Sequence, residues 1–512
     1  MHAVGIVLSL VVLGTAVATF AQRLRVPAPS LLVLAGLGVA LLPGVPAVRV
    51  APETIALLVL PPLLFASAEE MSLRDLRAVW RPVTVLAFGL VMATAAAVAG
   101  LAWQLTALSA SMAFVLGAVL ASTDPVAVTA LGRRLALPGR IQTLVQAESL
   151  FNDATSLVLF KVAIGFAVST GTLSWFGAGG KFLMLAGGGA GIGAVLSALV
   201  VLLRSRTADP VLQTVIALVT PYAAYMLAET AGTSGVTAVV VAGVTSGGTG
   251  HRTSDARIRL QVQAVYAVIV FLLESVVFAL IGLELPTMVR DLPAHTGWWP
   301  LQAAALAAVM IGIRVLWVWP TVSVARPTRP FPTWATTRVV TWAGTRGVMP
   351  LAAALTIPLA AEDGTPLPGR ALILVLTTSV VAATLTLQGL SLAGVVTGSG
   401  LAVDPALRAS KETAARAALA EAAVDYIDGL TETGSVPEAV LERARRRYTA
   451  RLGNQPDGAW PAANYAALQR DVLAVQSAEL RRLYSAGMVS DATRRRLQLE
   501  LDRAEAAVTS EA

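Results

Sequence analysis

One short segment of the sequence, ESLFND at residues 148–153, places four polar side chains in an otherwise apolar stretch. Glu148 and Asn152 are four residues apart, and so are Ser149 and Asp153, so a helix presents them on one face. Carboxylate, amide and hydroxyl oxygens are the ligands that hard cations such as Na⁺ prefer. Removal from water also favours the protonated form of a carboxyl group. The pattern therefore predicts a site at Asp153 that holds either a monovalent cation or a proton.

A second polar segment, STDPVAV at residues 122–128, also interrupts an apolar run. Proline removes a helical hydrogen bond, so Pro125 predicts a broken helix with free backbone carbonyls inside the membrane. Thr123 can then offer an oxygen to the cation, and Asp124 can balance the positive end of a half-helix. A plain proline kink, with Asp124 bonded to a neighbour, would give the same short motif.

A third segment, GTRGVMP at residues 344–350, shows a similar interruption late in the chain. Two glycines flank Arg346, and Pro350 follows them. Interrupted spans at matching positions in the two halves of a transporter indicate a binding site between inverted repeats. We therefore predict that the two broken helices form the site, with Arg346 at the negative end of a half-helix.

Another arginine, Arg314, lies well inside the apolar run IGIRVLWVW. An arginine cannot lose its charge in such a place and needs an acidic partner. Glu148 is the predicted partner, because Asp153 must stay free to titrate. A buried pair of this kind is expected to fix the architecture rather than to add stability.

Two further charged residues and one glycine-rich run have simpler interpretations. Lys161 lies eight residues after Asp153, and we expect it to extend toward the interface or to line the aqueous entrance. Glu274 fits either a cavity or a subunit contact, and the sequence leaves both open. The glycines of AGGGAGIGAVLSAL follow no predicted strand, so they are expected to allow close helix packing rather than to bind a dinucleotide.

All of these residues belong to a chain of membrane type. Its 512 residues are 56% hydrophobic and only 13% charged, and the mean hydropathy is +0.71. Apolar runs of about 17 to 25 residues, long enough to cross a bilayer core of roughly 30 Å, recur along the first part of the chain. We predict an all-α polytopic membrane protein with about thirteen transmembrane helices in residues 1–400 and a soluble helical cytoplasmic domain in residues 401–512. The predicted spans lie near residues 3–21, 28–43, 51–66, 79–102, 107–131, 141–169, 178–203, 209–229, 232–248, 262–285, 300–324, 336–360 and 369–397.

Charge in the loops predicts the orientation of these spans. Loops after odd-numbered spans are rich in arginine, whereas loops after even-numbered spans hold only Arg49, Arg290 and Arg370. The positive-inside rule therefore predicts an amino terminus outside and a carboxyl terminus in the cytoplasm. The formal net charge of +7 belongs to the membrane part, because the tail is nearly balanced, and this argues against a nucleic-acid partner.

Few residues in the sequence could hold a transition metal. Cysteine is absent, and the three histidines, His2, His251 and His295, lie at a terminus or in predicted loops. Neither a thiolate site nor a histidine cluster is expected, and we predict no cofactor.

Taken in order, the motifs resemble those of the cation:proton antiporter-1 family, specifically the bacterial NhaP-type Na⁺/H⁺ antiporters. The matching segments are LPPLLF (60–65), STDPVAV (122–128), ESLFND (148–153), SGVTAVVVAG (234–243), RVLWV (314–318), GTRGVMPLAAAL (344–355) and LTLQGLSL (385–392). The resemblance implies the NhaA-like antiporter fold, with inverted repeats and two crossing broken helices. It also implies a homodimer in a bacterial inner membrane that exposes its site alternately to each side.

The resemblance further implies roles for the residues of the ion site. Asp153 would take the cation and the proton in turn, with Asn152 as its neighbouring amide. Ser149 and Thr123 would supply cation-binding oxygens, and Asp124 would be the acid where the broken helices cross. The bound ion would be Na⁺, held by Asp153, Ser149 and Thr123.

Three other residues match the family's structural positions. Glu148 and Arg314 resemble its ion pair, and Arg346 resembles the arginine of the second broken helix. Two positions depart from the pattern: Ala66 stands where many relatives carry a glutamate, and Pro350 stands where they usually carry a serine. Both departures bear on the ion preference more than on the reaction.

The predicted activity is antiport of Na⁺, or of Li⁺, against H⁺, for control of cytoplasmic pH and sodium. An asparagine-aspartate pair is the family pattern for electroneutral exchange, and a single titrating carboxylate gives the same one-for-one balance. A K⁺/H⁺ antiporter is the nearest alternative. A Na⁺-coupled solute symporter would need an anion pocket for which the sequence shows no polar cluster, and a non-transporting sensor would use its tail to report the ion state.

Overall fold

The described part of the chain is built from α-helices. A computed structural model describes residues 2–24, 28–43, 52–124, 137–168, 175–207, 209–253, 256–290, 292, 296–325, 332–360, 365, 367–401, 405–433, 438–452 and 463–511. Within these ranges no β-strand occurs. Seven of the described helices are long and apolar enough to cross a membrane, and five shorter helices are also apolar.

The helices before residue 400 coincide with the predicted spans. They are α1 (His2–Leu24), α2 (Ala28–Ala40), α3 (Pro52–Glu69), α4 (Leu73–Thr84), α5 (Val91–Leu105), α6 (Ala110–Leu120), α7 (Gly139–Val168), α8 (Trp175–Ser205), α9 (Pro210–Thr230), α10 (Gly235–Thr253), α11 (Ala256–Arg290), α12 (Trp299–Ala325), α13 (Thr333–Trp342), α14 (Val348–Leu355) and α15 (Arg370–Ser399). A π-helical turn, Val85–Leu90, joins α4 to α5. Most predicted spans correspond to one helix, but the fourth is divided into α4, the π-helical turn and α5, and the twelfth into α13 and α14. The number of membrane crossings stays a prediction.

Four helices form the tail of the chain. They are α16 (Pro405–Thr433), α17 (Glu438–Leu452), α18 (Ala463–Ser485) and α19 (Asp491–Glu511). Their apolar side chains form two buried clusters, one around Leu473, Leu480 and Leu497 and the other around Ile427 and Tyr448. A charged, alanine-rich sequence therefore buries its few large apolar residues within its own helical bundle.

The chain divides into two compact units. The membrane unit comprises Met1–Leu203, Ile216–Gly250 and Tyr266–Ala402. The second unit comprises Arg204–Val215, His251–Val265 and Val403–Ala512. It therefore combines the tail with two short segments that come earlier in the sequence. The predicted domain boundary at residues 400 and 401 stays a prediction.

Close packing in the membrane unit holds the helices that carry the site. Helix α6 lies against α5 and α7. Gly117 of α6 approaches the backbone of Ala95 in α5 so closely that an added Cβ would overlap it. Trp317 of α12 donates its indole N–H to the carbonyl of Val85 in the π-helical turn, at 3.2 Å. Because a π-helical turn disturbs the usual helical hydrogen bonds, this contact fixes α12 against α4 and α5.

Candidate cation site

Helix α7 carries the ESLFND segment in the middle of its length. The side chains of Glu148, Ser149, Asn152 and Asp153 are all buried. The segment lies between Gly139 and Val168 without a break, so the four side chains share the helical face that their spacing predicts.

The first interrupted helix ends directly beside this face. Helix α6 stops at Leu120, and residues 121–124 are not helical. Asp124 precedes a proline, and the residue before a proline disfavours helical geometry. Pro125 and the predicted second half of this helix lie outside the described residues.

Side chains of α7 bond to the unwound segment at several points. Asn152 Nδ2 donates to Thr123 Oγ1 at 2.5 Å, and Thr123 N donates to Asn152 Oδ1 at 3.4 Å. Ser149 Oγ donates to the carbonyl of Thr123, and the two hydroxyl oxygens are 3.3 Å apart. One turn further along α7, Ser156 Oγ donates to the carbonyl of Ala118 at 2.7 Å. The polar face of α7 therefore satisfies backbone groups that the end of α6 leaves open.

The second interruption lies between α13 and α14, at residues 343–347. It bonds to the first one through two hydrogen bonds. The backbone N–H of Asp124 donates to the carbonyl of Thr345 at 2.8 Å, and Thr345 Oγ1 donates to the carbonyl of Asp124 at 2.9 Å. Pro350 is the third residue of α14, a position in the first helical turn where a missing N–H costs little. The two interrupted segments therefore meet directly at Asp124 and Thr345.

Glycine is required at this meeting point. A Cβ on Gly347 would overlap the Asp124 carboxyl group, and a Cβ on Gly344 would overlap the Arg314 guanidinium. Both glycines are needed for space, because neither has a positive φ. The GTRG sequence thus allows two polar side chains to approach the unwound backbone.

Arg314 of α12 reaches Glu148 with both terminal nitrogens. Nη1 donates to Oε1 at 2.6 Å, and Nη2 donates to Oε2 at 2.7 Å. Nε and Nη2 also donate to the carbonyl of Val340 in α13, at 3.3 and 3.1 Å. The planar guanidinium matches the carboxylate in the bidentate geometry that arginine favours. One buried pair therefore connects α7, α12 and α13.

Arg346 lies at the end of the first half of the second broken helix. Its Nη1 donates to the carbonyl of Gly344 at 3.0 Å, and its backbone N–H donates to Thr384 Oγ1 of α15 at 3.3 Å. The side chain is buried, and it forms no ion pair with a carboxylate of the described residues. The guanidinium thus bonds to a carbonyl just beyond the end of α13, and its predicted role at the negative end of a half-helix stays a prediction.

The predicted place of Lys161 at an interface or an aqueous entrance stays a prediction. In the structure, Lys161 is partly exposed and bound to an acidic residue. Its Nζ lies 2.5 Å from Glu229 Oε1 and 3.2 Å from the carbonyl of Thr233. Glu229 also accepts the backbone N–H of Gly235 at the start of α10. Lys161 therefore ties α7 to the connection between α9 and α10. In the sequence, this pair is indicated by Glu229, the acidic residue that ends the predicted span at residues 209–229.

Ser122 is a further polar residue of the unwound segment. Its side chain is buried, and it precedes Thr123 in the unwound segment. Thr123 in turn bonds to Asn152, the residue next to Asp153, so Ser122 lies close to the polar face of α7. The STDP motif contains this residue, but a serine beside a threonine carried no separate signal.

Two interrupted helices that bond to each other around a buried aspartate are typical of ion-coupled membrane transporters. Residues 7–398 match a family model whose description is "Sodium/hydrogen exchanger, transmembrane". This protein therefore belongs to the sodium/hydrogen exchanger family, and it is a multi-pass membrane protein. Members of this family are transporters rather than enzymes.

Individual relatives agree with this assignment. The chain is 32% identical over 526 residues to a Mycobacterium tuberculosis protein named "Uncharacterized Na(+)/H(+) exchanger Rv2287", with 97% of this chain and 96% of that protein covered. It is 34% identical over 292 residues to the low-affinity Na⁺/H⁺ antiporter NhaS1 of Synechocystis, with 56% of this chain and 54% of that protein covered.

A solved structure shows the same fold. The sodium proton antiporter MjNhaP1 from Methanocaldococcus jannaschii superposes with a TM-score of 0.64 at 20% identity. The match covers 79% of this chain and 99% of that one.

Proposed function

We propose that this protein is a secondary active Na⁺/H⁺ antiporter that exchanges one cation for one proton at Asp153. The observation that carries the proposal is the buried Asp153 carboxyl group on the α7 face that binds the first interrupted helix. The relatives named as Na⁺/H⁺ antiporters support the choice of ions. Li⁺, which is chemically similar to Na⁺, is expected to use the same site.

A single titrating carboxyl group makes this exchange electroneutral. Asp153 carries one proton in one direction and one monovalent cation in the other, while its neighbour Asn152 stays neutral. Each full cycle therefore moves no net charge, and a membrane voltage does not drive it. Two carboxylates at this position could instead hold an additional charge.

Competition for Asp153 makes the exchange depend on pH. At low cytoplasmic pH, protons occupy the carboxyl group and exclude the cation. At higher pH the carboxylate is free, and Na⁺ binds and is exported while a proton enters. This behaviour suits a protein that controls cytoplasmic pH and sodium.

The neighbouring residues have separate roles in the proposed cycle. Ser149 and Thr123 supply oxygens at the site and hold the unwound segment, and Asp124 supplies the negative charge where the two interruptions meet. The bidentate Glu148–Arg314 pair is structural, because it leaves Asp153 as the free acid.

Arg346 compensates charge around the site. Its guanidinium lies at the negative end of α13, and it influences both Asp153 and Glu148 electrostatically. When Asp153 is ionised, a fixed positive charge nearby lowers the cost of the buried carboxylate.

The proposed architecture is that of an alternating-access transporter. We propose about thirteen membrane crossings arranged as inverted repeats, an outside amino terminus and a cytoplasmic carboxyl terminus. The transport domain comprises residues 1–400, and residues 401–512 form the cytoplasmic domain. The protein works as a homodimer in a bacterial plasma membrane.

Purified protein in liposomes tests this function directly. With an imposed pH gradient, added Na⁺ should change the internal pH, and a K⁺/valinomycin voltage clamp should leave the rate unchanged. Asp153→Asn should abolish the exchange because an amide cannot titrate, while the variant still elutes as folded protein in detergent. Exchange that persists in Asp153→Asn, or that generates a current, would contradict the proposal.

Parallel additions of Li⁺ and K⁺ test the ion preference. Relatives from two Bacillus species are named as sodium, potassium, lithium and rubidium/H⁺ antiporters. We nevertheless expect Na⁺ and Li⁺ to act at lower concentration than K⁺, because the relatives from Mycobacterium tuberculosis, Synechocystis and Aphanothece halophytica are named for Na⁺. A stronger response to K⁺ would favour the K⁺/H⁺ alternative.

A further inference from the structure

The polar atoms beside Asp153 differ in how many hydrogen bonds they form. Ser149 Oγ donates its only proton to the Thr123 carbonyl, so the 3.3 Å contact between the two hydroxyls leaves Thr123 Oγ1 as the donor. Thr123 Oγ1 also accepts the Asn152 amide, and Asn152 Oδ1 accepts the Thr123 N–H. Ser149 and Asn152 therefore form these hydrogen bonds with Thr123 of the unwound segment.

Two buried oxygens at the same place have no such bonds. Within the described residues, neither Asp153 Oδ1 nor Ser122 Oγ has a hydrogen-bond partner. Ser122 is 1% exposed and Asp153 is 5% exposed. Ser122 directly precedes Thr123, which is hydrogen-bonded to Asn152, the residue next to Asp153. The two oxygens thus belong to neighbouring parts of the site and remain available for a ligand.

Unbonded polar atoms are costly in the interior of a membrane protein. A buried donor or acceptor without a partner destabilises a protein, because it has given up its hydrogen bonds to water and gained none in return. Such groups in native proteins call for a specific explanation, and a bound ion is one of them. A carboxylate next to a free hydroxyl oxygen supplies the hard oxygen ligands that Na⁺ prefers.

We propose that the Ser122 hydroxyl oxygen is a direct ligand of the transported cation, together with Asp153. This inference rests on the proposed function and adds a residue to its ion site. Thr123, Ser149 and Asn152 then act first as the frame that holds residues 121–124 in place. In the proton-bound state, the protonated Asp153 can donate its O–H to Ser122 Oγ, so the same pair serves both substrates.

Ser122→Ala tests this proposal in the full-length protein. In liposomes, we expect the apparent KM for Na⁺ to rise by at least about tenfold, because a hydrogen bond or ligand to a charged group contributes that much to affinity. The exchange rate at saturating Na⁺ should fall much less. In detergent, the stabilisation of purified protein by Na⁺ should shift to correspondingly higher Na⁺ concentration, since it reports binding without transport.

Ser275→Ala is the matched control. Ser275 of α11 is a buried serine whose hydroxyl also lacks a partner among the described residues, and it lies against Gly14 of α1. Its loss removes the same atom in a similar environment and should leave the KM for Na⁺ unchanged. An equal rise in both variants would mean that Ser122 acts only through packing, and it would overturn the proposal.

Ser122→Cys keeps the proposal testable if the alanine variant fails to assemble. Cysteine has nearly the same shape, but its sulfur is a soft atom and a poor ligand for Na⁺. We expect the same loss of Na⁺ affinity with normal elution from a sizing column. A wild-type KM in Ser122→Cys or Ser122→Ala, alongside an inactive Asp153→Asn, would remove Ser122 from the site and leave the antiport function intact. An active Asp153→Asn would instead overturn the function itself.

Discussion

Arginine and a carboxylate meet in a bidentate pair in each of the two units, but in very different surroundings. In the membrane unit, Arg314 is 3% exposed and Glu148 is 0% exposed. In the second unit, Arg259 donates through Nε and Nη2 to the two carboxylate oxygens of Asp502. These side chains are 19% and 6% exposed. The chemistry is the same, and only the access to water differs.

The surroundings decide what each pair can contribute. Arg314 also bonds to the carbonyl of Val340, and the loss of either partner would leave a buried charge without its counter-charge. Asp502 also accepts a hydrogen bond from Gln498 at 2.9 Å, while Arg259 keeps partial contact with solvent. We therefore interpret the first pair as a permanent element of the fold. The second pair joins the start of α11 to α19 by a contact that can open at moderate cost.

The largest effect is expected from the pair in the membrane unit. Glu148→Ala leaves the Arg314 charge buried and uncompensated, at a cost of about 3–5 kcal/mol. We expect little folded protein, measured as the monodisperse fraction after extraction in detergent. Glu500→Ala, which removes an exposed partner of Arg416 in the tail, is a suitable control and should assemble normally.

The same variant separates a structural role from a transport role. If Glu148→Ala assembled with wild-type yield and thermal stability but lost exchange, Glu148 would belong to the transport chemistry. The comparison between the two units would then fail, because the buried pair would not be a permanent element of the fold.

Much of this arrangement follows from the types of residues and their spacing along the sequence. Apolar runs locate the helices, because crossing a bilayer requires a fixed length of apolar helix. Spacings of three and four residues place Glu148 to Asp153 on one face of α7. A buried arginine needs an acidic partner, and this rule predicted Glu148 as the partner of Arg314. In the structure the two side chains are in contact. The functional roles of these residues stay predictions.

Other features depend on the path of the chain in three dimensions. The bonds between Asp124 and Thr345 join two unwound segments, and unwound backbone has no periodicity that a sequence can reveal. The need for Gly347 follows from the position of the Asp124 carboxyl group, which is distant in sequence. Ser122 was missed for the same reason, since only the fold shows which hydroxyl in STDP lacks a partner.

An intermediate effect is expected from the pair in the second unit. Asp502→Ala removes the partner of a partly exposed arginine, and we expect a loss of about 1–3 kcal/mol. The membrane unit contains all the predicted site residues, so exchange in liposomes should remain measurable. A double-mutant cycle with Arg259→Ala gives the coupling energy from thermal unfolding.

The coupling energy from that cycle ranks the second pair against the first. A coupling energy clearly below the loss in Glu148→Ala is expected, together with folded protein in all three variants. A loss of all folded protein in Asp502→Ala would show that the second pair is as essential as the first. Its partial exposure would then be a poor guide to its importance.

The smallest effect is expected from a third pair, whose arginine is more exposed than Arg314 and Arg259. Arg482 donates to both oxygens of Glu479, at 2.7 and 2.6 Å, and its own side chain is 63% exposed. The hydrogen bond from Arg482 lowers the pKa of Glu479, although partial burial of the carboxyl group acts in the opposite direction. Because the folded state holds this proton more weakly than the unfolded state, the pair stabilises the fold only where the carboxyl group is ionised. That contribution is present above the unfolded pKa of about 4.3, and it is lost as the pH falls through the lower folded value.

Glu479→Gln tests this pH dependence against the two deeper pairs. The difference in thermal unfolding temperature between wild type and variant should be small at neutral pH, because solvent screens an exposed pair. It should vanish once the pH has fallen through the lowered folded pKa of Glu479, because the carboxyl group is then protonated in both states. Glu148→Ala offers no comparable relief, since it leaves the buried Arg314 guanidinium without its carboxylate partner. A Glu479→Gln effect as large as that of Asp502→Ala would show that exposure does not rank these pairs, and the contrast between the two units would lose its physical basis.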